Sequence, residues 1–459
     1  MKKFLNACEN QFRAAPAQAA AAAPAKPAPV PDVSIAHFKR CITPKIGCLL
    51  AGYGFNNVSE AKLDDLYMTG LAVDDGEHRV LLVSFDLIGL DDVDIRRMRT
   101  ECARLLGTDA DSVMFSCTHT HGGPMSRSPA EKHEYLNQEF MDMLEAALYE
   151  EVGKLKEFTP CQLFFYSCKC NENKNRRFTG SDNTASFLPH RREVRPIADE
   201  YTDREFGMLL FRNFKTGRPA YVVGNYAAHA LSGITPGLGT RRITADYPGA
   251  FRDYVTAETL AASMFVTGAS GDMVPLEDEL GSDAVRRTGV ALAKLAIGGI
   301  IDSTRNSGRF RMRGAKVGGA SKTVEFPLRR KYYPNFPGKT SVKLEIQCLA
   351  FGDVCFVGVP GELCAELGQE IKWHSPFRRT FIAYNSTGYI SYLCPGNFMV
   401  SGGYESNHQR ITTRSTLKMV ETAVDTMYEL RSRLYPQPEG EEAYPDCLDL
   451  PNVNIPRNV

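Results

Sequence analysis

Along this chain, apolar runs of strand length alternate with stretches whose apolar positions recur at helical spacing. From Leu71, LAVDDGEHRVLLVSFDLIGL places two apolar runs around Asp75-Gly76, the pattern of a β-hairpin. Asp92–Leu106 follows, with Val93, Met98, Cys102, Leu105 and Leu106 spaced to form one helix face. Ser112–Cys117 predicts a short apolar strand, and Tyr221 through Phe265 predicts strand, helix and strand again. Leu344–Val359 reads as a strand pair around Gly352-Asp353, and Glu362–Trp373 as a helix entered through Gly361. Met419–Tyr435 is a last amphipathic helix. This alternation predicts an α/β fold rather than separate all-α and all-β blocks. No repeat of fixed period stands out.

The ends of the chain break the pattern. Residues 1–33 are expected to be disordered, with Ala15–Pro31 an Ala/Pro-rich tether. The folded domain is placed at 34–436, its first unit beginning near Phe38, and 437–459 is a loosely attached tail. MKKFLNACENQF lacks the unbroken apolar core of a signal peptide. Nowhere do 18 apolar residues run together, so no transmembrane helix or stable membrane insertion is expected, and a cytoplasmic location follows.

Composition narrows the function by exclusion. Lys+Arg and Asp+Glu both total 54, so no long-range field draws in nucleic acid or an anionic membrane. The 13 cysteines are scattered and odd in number, unlike a secreted disulfide framework, and read as reduced, mostly buried thiols. Cys168 and Cys170 have a spacing that could serve a metal, but no second pair accompanies them.

The chemistry gathers at strand ends. Val113-Met114-Phe115 leads into Ser116-Cys117-Thr118-His119-Thr120-His121-Gly122-Gly123-Pro124. Residues two apart on a strand share a face, so His119 and His121 can converge on one site, as metal donors or as members of a polar loop. Tyr221–His229 is a second strand ending in histidine, where a hydrogen-bonded structural role competes with ligation. Val357-Gly358-Val359-Pro360-Gly361-Glu362 puts a carboxylate at a strand–helix junction. It can project into a crevice at the strand ends or serve as an acid favoured by the helix dipole. Phe265–Pro275 runs from a strand into a Gly-x-x-Gly turn that lacks the Lys-Ser/Thr of a phosphate loop. Two histidines and one carboxylate form a common ligand set of hydrolytic zinc enzymes, so the residues point to a metallohydrolase.

Taken in order, these segments resemble the catalytic domain of the neutral/alkaline non-lysosomal ceramidases and their bacterial relatives. The resemblance rests on Ile42–Gly47 with Ala51–Gly54, on His119–Pro124, on Asn175-Arg176-Arg177 and on Asn225–His229. It continues through Ala245–Gly249, Gly268–Pro275, Pro360–Glu362, Gly388-Tyr389-Ile390 and Gly403-Tyr404-Glu405, and spans roughly residues 38–435. It implies a single large domain of mixed sheets with flanking helices. It also implies one zinc per chain, held by His119, His229, Glu362 and Tyr389, with Tyr384 and Tyr392 as rivals for the last place. His121 would contact substrate and relay a proton, and Arg176 would contact the substrate carbonyl.

Three departures bear on the substrate. Val274 stands where the family commonly has serine, and neither a C-terminal β-sandwich domain nor a signal peptide is evident. The resulting expectation is an enzyme that cleaves an amide (N-acyl) bond in a small or moderately sized soluble molecule by metal-activated water. The alternatives are an ester or sugar-linked bond, N-acylsphingosine itself, or a non-catalytic binding protein on the same scaffold.

Overall fold

The computed structural model describes residues 30–54, 56–128, 136–179, 185–187 (backbone only), 201–233, 241–276 and 281–436. The expected tether up to residue 29 and the tail 437–459 lie outside the described residues. The described residues from Asp32 onward form one compact unit.

The principal sheet uses eight strands: β1 (Val33–Cys41), β2 (Tyr67–Asp74), β3 (Arg79–Phe85), β4 (Val113–Cys117), β5 (Thr159–Lys169), β6 (Glu205–Asn213), β7 (Pro219–Tyr226) and β8 (Ala262–Thr267). Their spatial order is β8-β7-β6-β5-β1-β2-β3-β4. The outermost pairs, β7/β8 and β3/β4, are parallel, and the pairings between them are antiparallel. A second sheet is built from β9 (Val317–Pro327), β10 (Ser341–Phe351), β11 (Val354–Gly358) and β13 (Arg379–Ala383), in that order, with β11/β13 again parallel. Between the last two lies β12 (Glu362–Leu363), which pairs in parallel with β14 (Tyr392–Leu393).

Side-chain alternation decides the layering. Leu81, Val83 and Phe85 of β3 face helices α1 (Asp92–Leu106) and α2 (Gln138–Gly153), while Val80 and Leu82 face the second sheet. On the other half of the sheet, Val222 and Phe265 meet helices α3 (Asp246–Thr259) and α4 (Ser282–Arg305), and Val223 and Val266 meet the second sheet. The far face of the second sheet is covered by α6 (Thr413–Leu434) through Met419, Ala423 and Met427. The order is helices, sheet, sheet, helix. Covering both faces of each sheet explains why the strands read as near-continuous apolar runs.

The hairpin around Asp75-Gly76 and the helix Asp92–Leu106 stand where the sequence predicts them. Three details differ. Val93 is exposed, and Ile95, Met98, Cys102 and Leu106 form the buried stripe instead, because Val93 lies two residues before Ile95 and so on another helix face. β1 begins at Val33, earlier than Phe38, because Val33–Ile35 pair with β5. The helix expected from Glu362 begins at Ala365 as α5 (Ala365–Trp373). The backbone before it is committed to neighbouring strands: Glu362 N–H donates to Ser391 O (2.9 Å) and Cys364 N–H to Leu393 O (3.0 Å).

Candidate metal centre

Three parallel strand pairs point their carboxyl ends at one place. Each candidate group follows one of these six strands: Ile88 after β3, His119 after β4, His229 after β7, Ser270 after β8, Glu362 after β11 and Tyr384 after β13. Sites outside the carboxyl ends of strands are a general outcome of parallel pairing. The pairs are stitched together where they meet. Tyr384 N–H donates to Thr267 O (3.0 Å) and Thr267 Oγ1 to Thr118 O (3.0 Å). Asn225 Nδ2 donates to both Val266 O (2.8 Å) and Ile382 O (2.9 Å).

His119 and His229 are buried and held alike. His229 Nδ1 lies 2.6 Å from Ser270 O, and His119 Nδ1 lies 2.7 Å from Ile88 O. The Asn385 side-chain amide sits 2.8 Å from the same His119 nitrogen. A backbone carbonyl on Nδ1 fixes the tautomer and presents Nε2, the arrangement found around metal-bound imidazoles. His119 adopts φ 62° and Asn385 φ 46°, left-handed conformations uncommon for residues with a side chain. Such strain concentrates at functional sites. His119 and His121 do converge, but not by strand alternation: β4 ends at Cys117, and the left-handed turn at His119 aims the rings.

Glu362 completes the arrangement. Its Oε2 is 3.5 Å from His119 Nε2 and 3.3 Å from His229 Nε2. Two ligands of a tetrahedral zinc, each bound at about 2.0–2.1 Å, stand about 3.3 Å apart. The observed separations therefore fit the edges of such a coordination shell. Tyr384 Oη donates to the same Oε2 (3.1 Å), whereas Tyr389 Oη donates to Oε1. Burial alone would raise Glu362; the His119 and His229 imidazoles outweigh it and hold the carboxyl well below the usual range. His229 is lowered to about 4, chiefly by burial.

His121 differs from its neighbours. Neither ring nitrogen has a hydrogen-bond partner although both are buried, and His229 Nε2 is also without one. Its ring centroid is 5.0 Å from that of His119 and 5.6 Å from that of His229. Donor atoms of the three histidines all lie within 4.8 Å of one another, the one metal-competent group of His, Cys, Asp and Glu among the described residues. Burial, and then the imidazoles of His119 and His229, place the His121 pKa well below its ordinary value, so the ring is neutral at pH 7. Tyr53 packs on it at 4.9 Å, and Gly52 (φ +101°) backs it closely. Cys168 and Cys170 take no part in any such group, and Cys170 sits in the core under α4.

Arg176 lies buried next to this cluster. Its Nε donates to Glu405 Oε1 (2.8 Å) and its Nη2 to Gly271 O (2.8 Å) and Tyr392 Oη (3.0 Å). Glu405 also accepts from Arg177 (2.9 Å). The Gly268–Pro275 segment acts as a brace. Ser270 O holds the His229 ring, Met273 O accepts from His229 N–H (3.0 Å), and Asp272 accepts from Ala365 N–H at the start of α5 (2.8 Å). A Cβ on Gly271 would stand 2.7 Å from Glu362 O, so only glycine lets the brace pass so close to the carboxylate's backbone. Val274 pairs with Lys174 in a short ladder.

Thus His119, His121, His229, Glu362, Tyr384 and Tyr389 come together, with Arg176 against Tyr392. Sequence reasoning missed the carbonyls of Ile88 and Ser270, Asn385, and the buried Asp86–Arg252 pair behind β3. Backbone carbonyls leave no residue-type signal. Asn385 stands one position after a tyrosine that was already a candidate.

No family model matches the sequence, and no curated protein sequence does. Among solved structures, the neutral ceramidase from Pseudomonas aeruginosa superposes with a TM-score of 0.71 at 15% identity, over 91% of this chain and 77% of that one. A ceramidase complexed with C2 gives 0.73 at 15% identity, over 91% and 78%. With the helix–sheet–sheet–helix order and the strand-end site, these likenesses show that the chain is built on the neutral ceramidase fold.

Proposed function

We propose that this protein is a zinc-dependent hydrolase of an amide (N-acyl) bond in a small or moderately sized water-soluble substrate. One observation carries the reading: Glu362 Oε2 lies 3.5 and 3.3 Å from two imidazole nitrogens whose rings are each oriented by a backbone carbonyl. His119, His229 and Glu362 would hold one zinc per chain, with Tyr389 as fourth ligand and Tyr384 as its rival. When bound, the ion lowers the pKa of water to about 7 and polarises the scissile carbonyl.

The residues around it divide the remaining work. Neutral His121, with both nitrogens unpartnered, accepts a proton from the attacking water and delivers it to the leaving amine. Tyr389 and Arg176 stabilise the developing oxyanion, a contribution worth roughly 2.7–4 kcal/mol for one well-placed donor. None of these roles needs a serine at position 274. The balanced charge supports a soluble substrate, since it offers no attraction to anionic bilayers.

The test is metal analysis of the purified chain with turnover of short N-acyl amines against long-chain ceramide without detergent. Zinc near one equivalent and faster cleavage of the short amides are expected. Faster cleavage of ceramide would overturn the soluble-substrate reading and leave the zinc reading intact.

A further inference from the structure

Beside the metal centre stand two arginines that the proposed chemistry does not use. The Arg127 guanidinium covers the Tyr389 ring, its Cζ 3.7 Å from the ring centroid. It thus lies one aromatic ring away from the Glu362 carboxylate, which Tyr389 contacts through its hydroxyl. Arg127 Nε is buried without a hydrogen-bond partner. Arg410, in the segment before α6, lies near the ring of Phe336 (5.8 Å) and within electrostatic range of Arg127 and Tyr389. Burial, and then the charge of Arg127, lower its pKa, and Tyr389, Tyr332 and Glu362 act on it in the opposite sense.

Neither guanidinium makes a hydrogen bond or an ion pair among the described residues. The nearby carboxylates hydrogen-bond to other groups: Asp91, which feels the Arg127 charge, accepts from Ser128 N–H (2.7 Å), and Glu362 accepts from the two tyrosines. Several other buried arginines among the described residues hold carboxylates. Arg176 and Arg177 share Glu405, Arg252 grips Asp86 and Arg99 grips Glu345. The two positive charges repel, and the buried, unpartnered Arg127 Nε costs free energy that a native structure rarely leaves uncompensated. Both retain partial exposure, so a ligand can approach.

We propose that Arg127 and Arg410 form a recognition subsite for an oxyanion, a carboxylate in the first instance, carried by the substrate close to the bond that is cleaved. The planar guanidinium fork matches a carboxylate in two parallel hydrogen bonds. Tyr389 links the two places, its ring near-parallel to that of His119 (centroids 6.2 Å apart) and covered by the Arg127 guanidinium. This rests on the proposed hydrolase and deepens it. The substrate class becomes an N-acylated compound bearing a negative charge, such as an N-acyl amino acid, rather than a neutral amide.

The subsite can be tested without turnover, which keeps its fate separate from that of the hydrolase reading. Binding of N-acetylglycine and of its neutral counterpart N-acetylglycinamide is measured by calorimetry on the full His121→Ala chain. At least a tenfold preference for the carboxylate is expected, and it should vanish in the background of Arg127→Gln with Arg410→Gln. Displacement of N-acetylglycine by inorganic phosphate would identify a general oxyanion subsite, and failure to displace would identify a carboxylate-selective one. Equal affinity for the two probes, or a preference that survives both substitutions, overturns the proposal. Should turnover assays show amide hydrolysis with no charge preference, the subsite fails and the hydrolase stands. A charge preference in binding without any turnover reverses that outcome.

Discussion

Replacing Gly52 by alanine separates the proposed proton relay, His121, from the proposed metal ligands. A Cβ at position 52 would stand 2.5 Å from His121 Nδ1 and 2.8 Å from its Cγ, where ordinary contact begins at 3.4 Å. The imidazole must therefore yield by about 0.9 Å, or the loop must move. The backbone at Gly52 has φ +101°, so the variant carries local strain as well, on the order of 1–2 kcal/mol. A domain with the usual stability of about 5–15 kcal/mol still folds after that loss. A displacement of about 1 Å in a catalytic group costs on the order of 10²-fold in rate. Gly52→Ala should thus fold, retain its zinc and lose about 10²-fold in kcat with little change in KM. Zinc content by elemental analysis, a thermal melt and steady-state kinetics on a short N-acyl amine check the three parts. Loss of zinc in a folded Gly52→Ala protein would show that His121 is a ligand. Unchanged kcat would show that His121 takes no part.

Other substitutions give further tests. His229→Ala and His119→Ala should each lose most of the zinc, whereas His121→Ala should keep it and lose 10²–10⁴-fold in activity; elemental analysis paired with kinetics reads both. Tyr384→Phe and Tyr389→Phe should differ in metal affinity, measured by competition with a chelator, and the weaker binder identifies the fourth ligand. Arg252→Met leaves the fully buried Asp86 carboxylate without its counter-ion and should cost about 3–5 kcal/mol in denaturant unfolding; a loss below about 1 kcal/mol would refute that account. Burial pushes Asp246 up to about 7 from 3.8, so its contribution to stability is full below pH 3.8 and lost as pH rises through about 7. Asp246→Asn should flatten the fall in unfolding free energy between about pH 4 and 7, and an unchanged slope would assign that fall to other groups such as Asp64, raised to about 6.

Much of this was legible in the sequence for a physical reason. Strands covered on both faces must be apolar throughout, and residues such as His119 and His229 stand out wherever such a run stops. The ordering of Leu71–Leu90 and of Asp92–Leu106 follows from local periodicity alone, and both elements stand where the pattern puts them. Glu362 illustrates the limit. Its local sequence favours a helix start, yet its N–H donates to Ser391 O and the next residue, Leu363, accepts from Gly271 N–H, partners distant in sequence. Arg127 and Arg410 show another. Each is an unremarkable surface residue by composition, and only folding reveals that their charges act on each other with no ion pair to either guanidinium among the described residues.

The convergence of three parallel strand pairs has a consequence for how the molecule comes into being. His119 and its supporting Asn385 lie 266 residues apart, and Asn385 and the Ile88 carbonyl 297 apart. Contacts that span such lengths are made late, because chain closure must be complete before they repay its entropy. A fragment ending near residue 276 would hold His119 and His229, the proposed imidazole ligands, and no Glu362. The centre therefore reports on completion of the whole chain, and an ion that binds only the finished state stabilises it by mass action. If the proposed zinc is bound, withdrawing it should loosen the junction where the three pairs meet before it disturbs any single pair. Hydrogen exchange at Thr267, Tyr384 and His229 should register the change first.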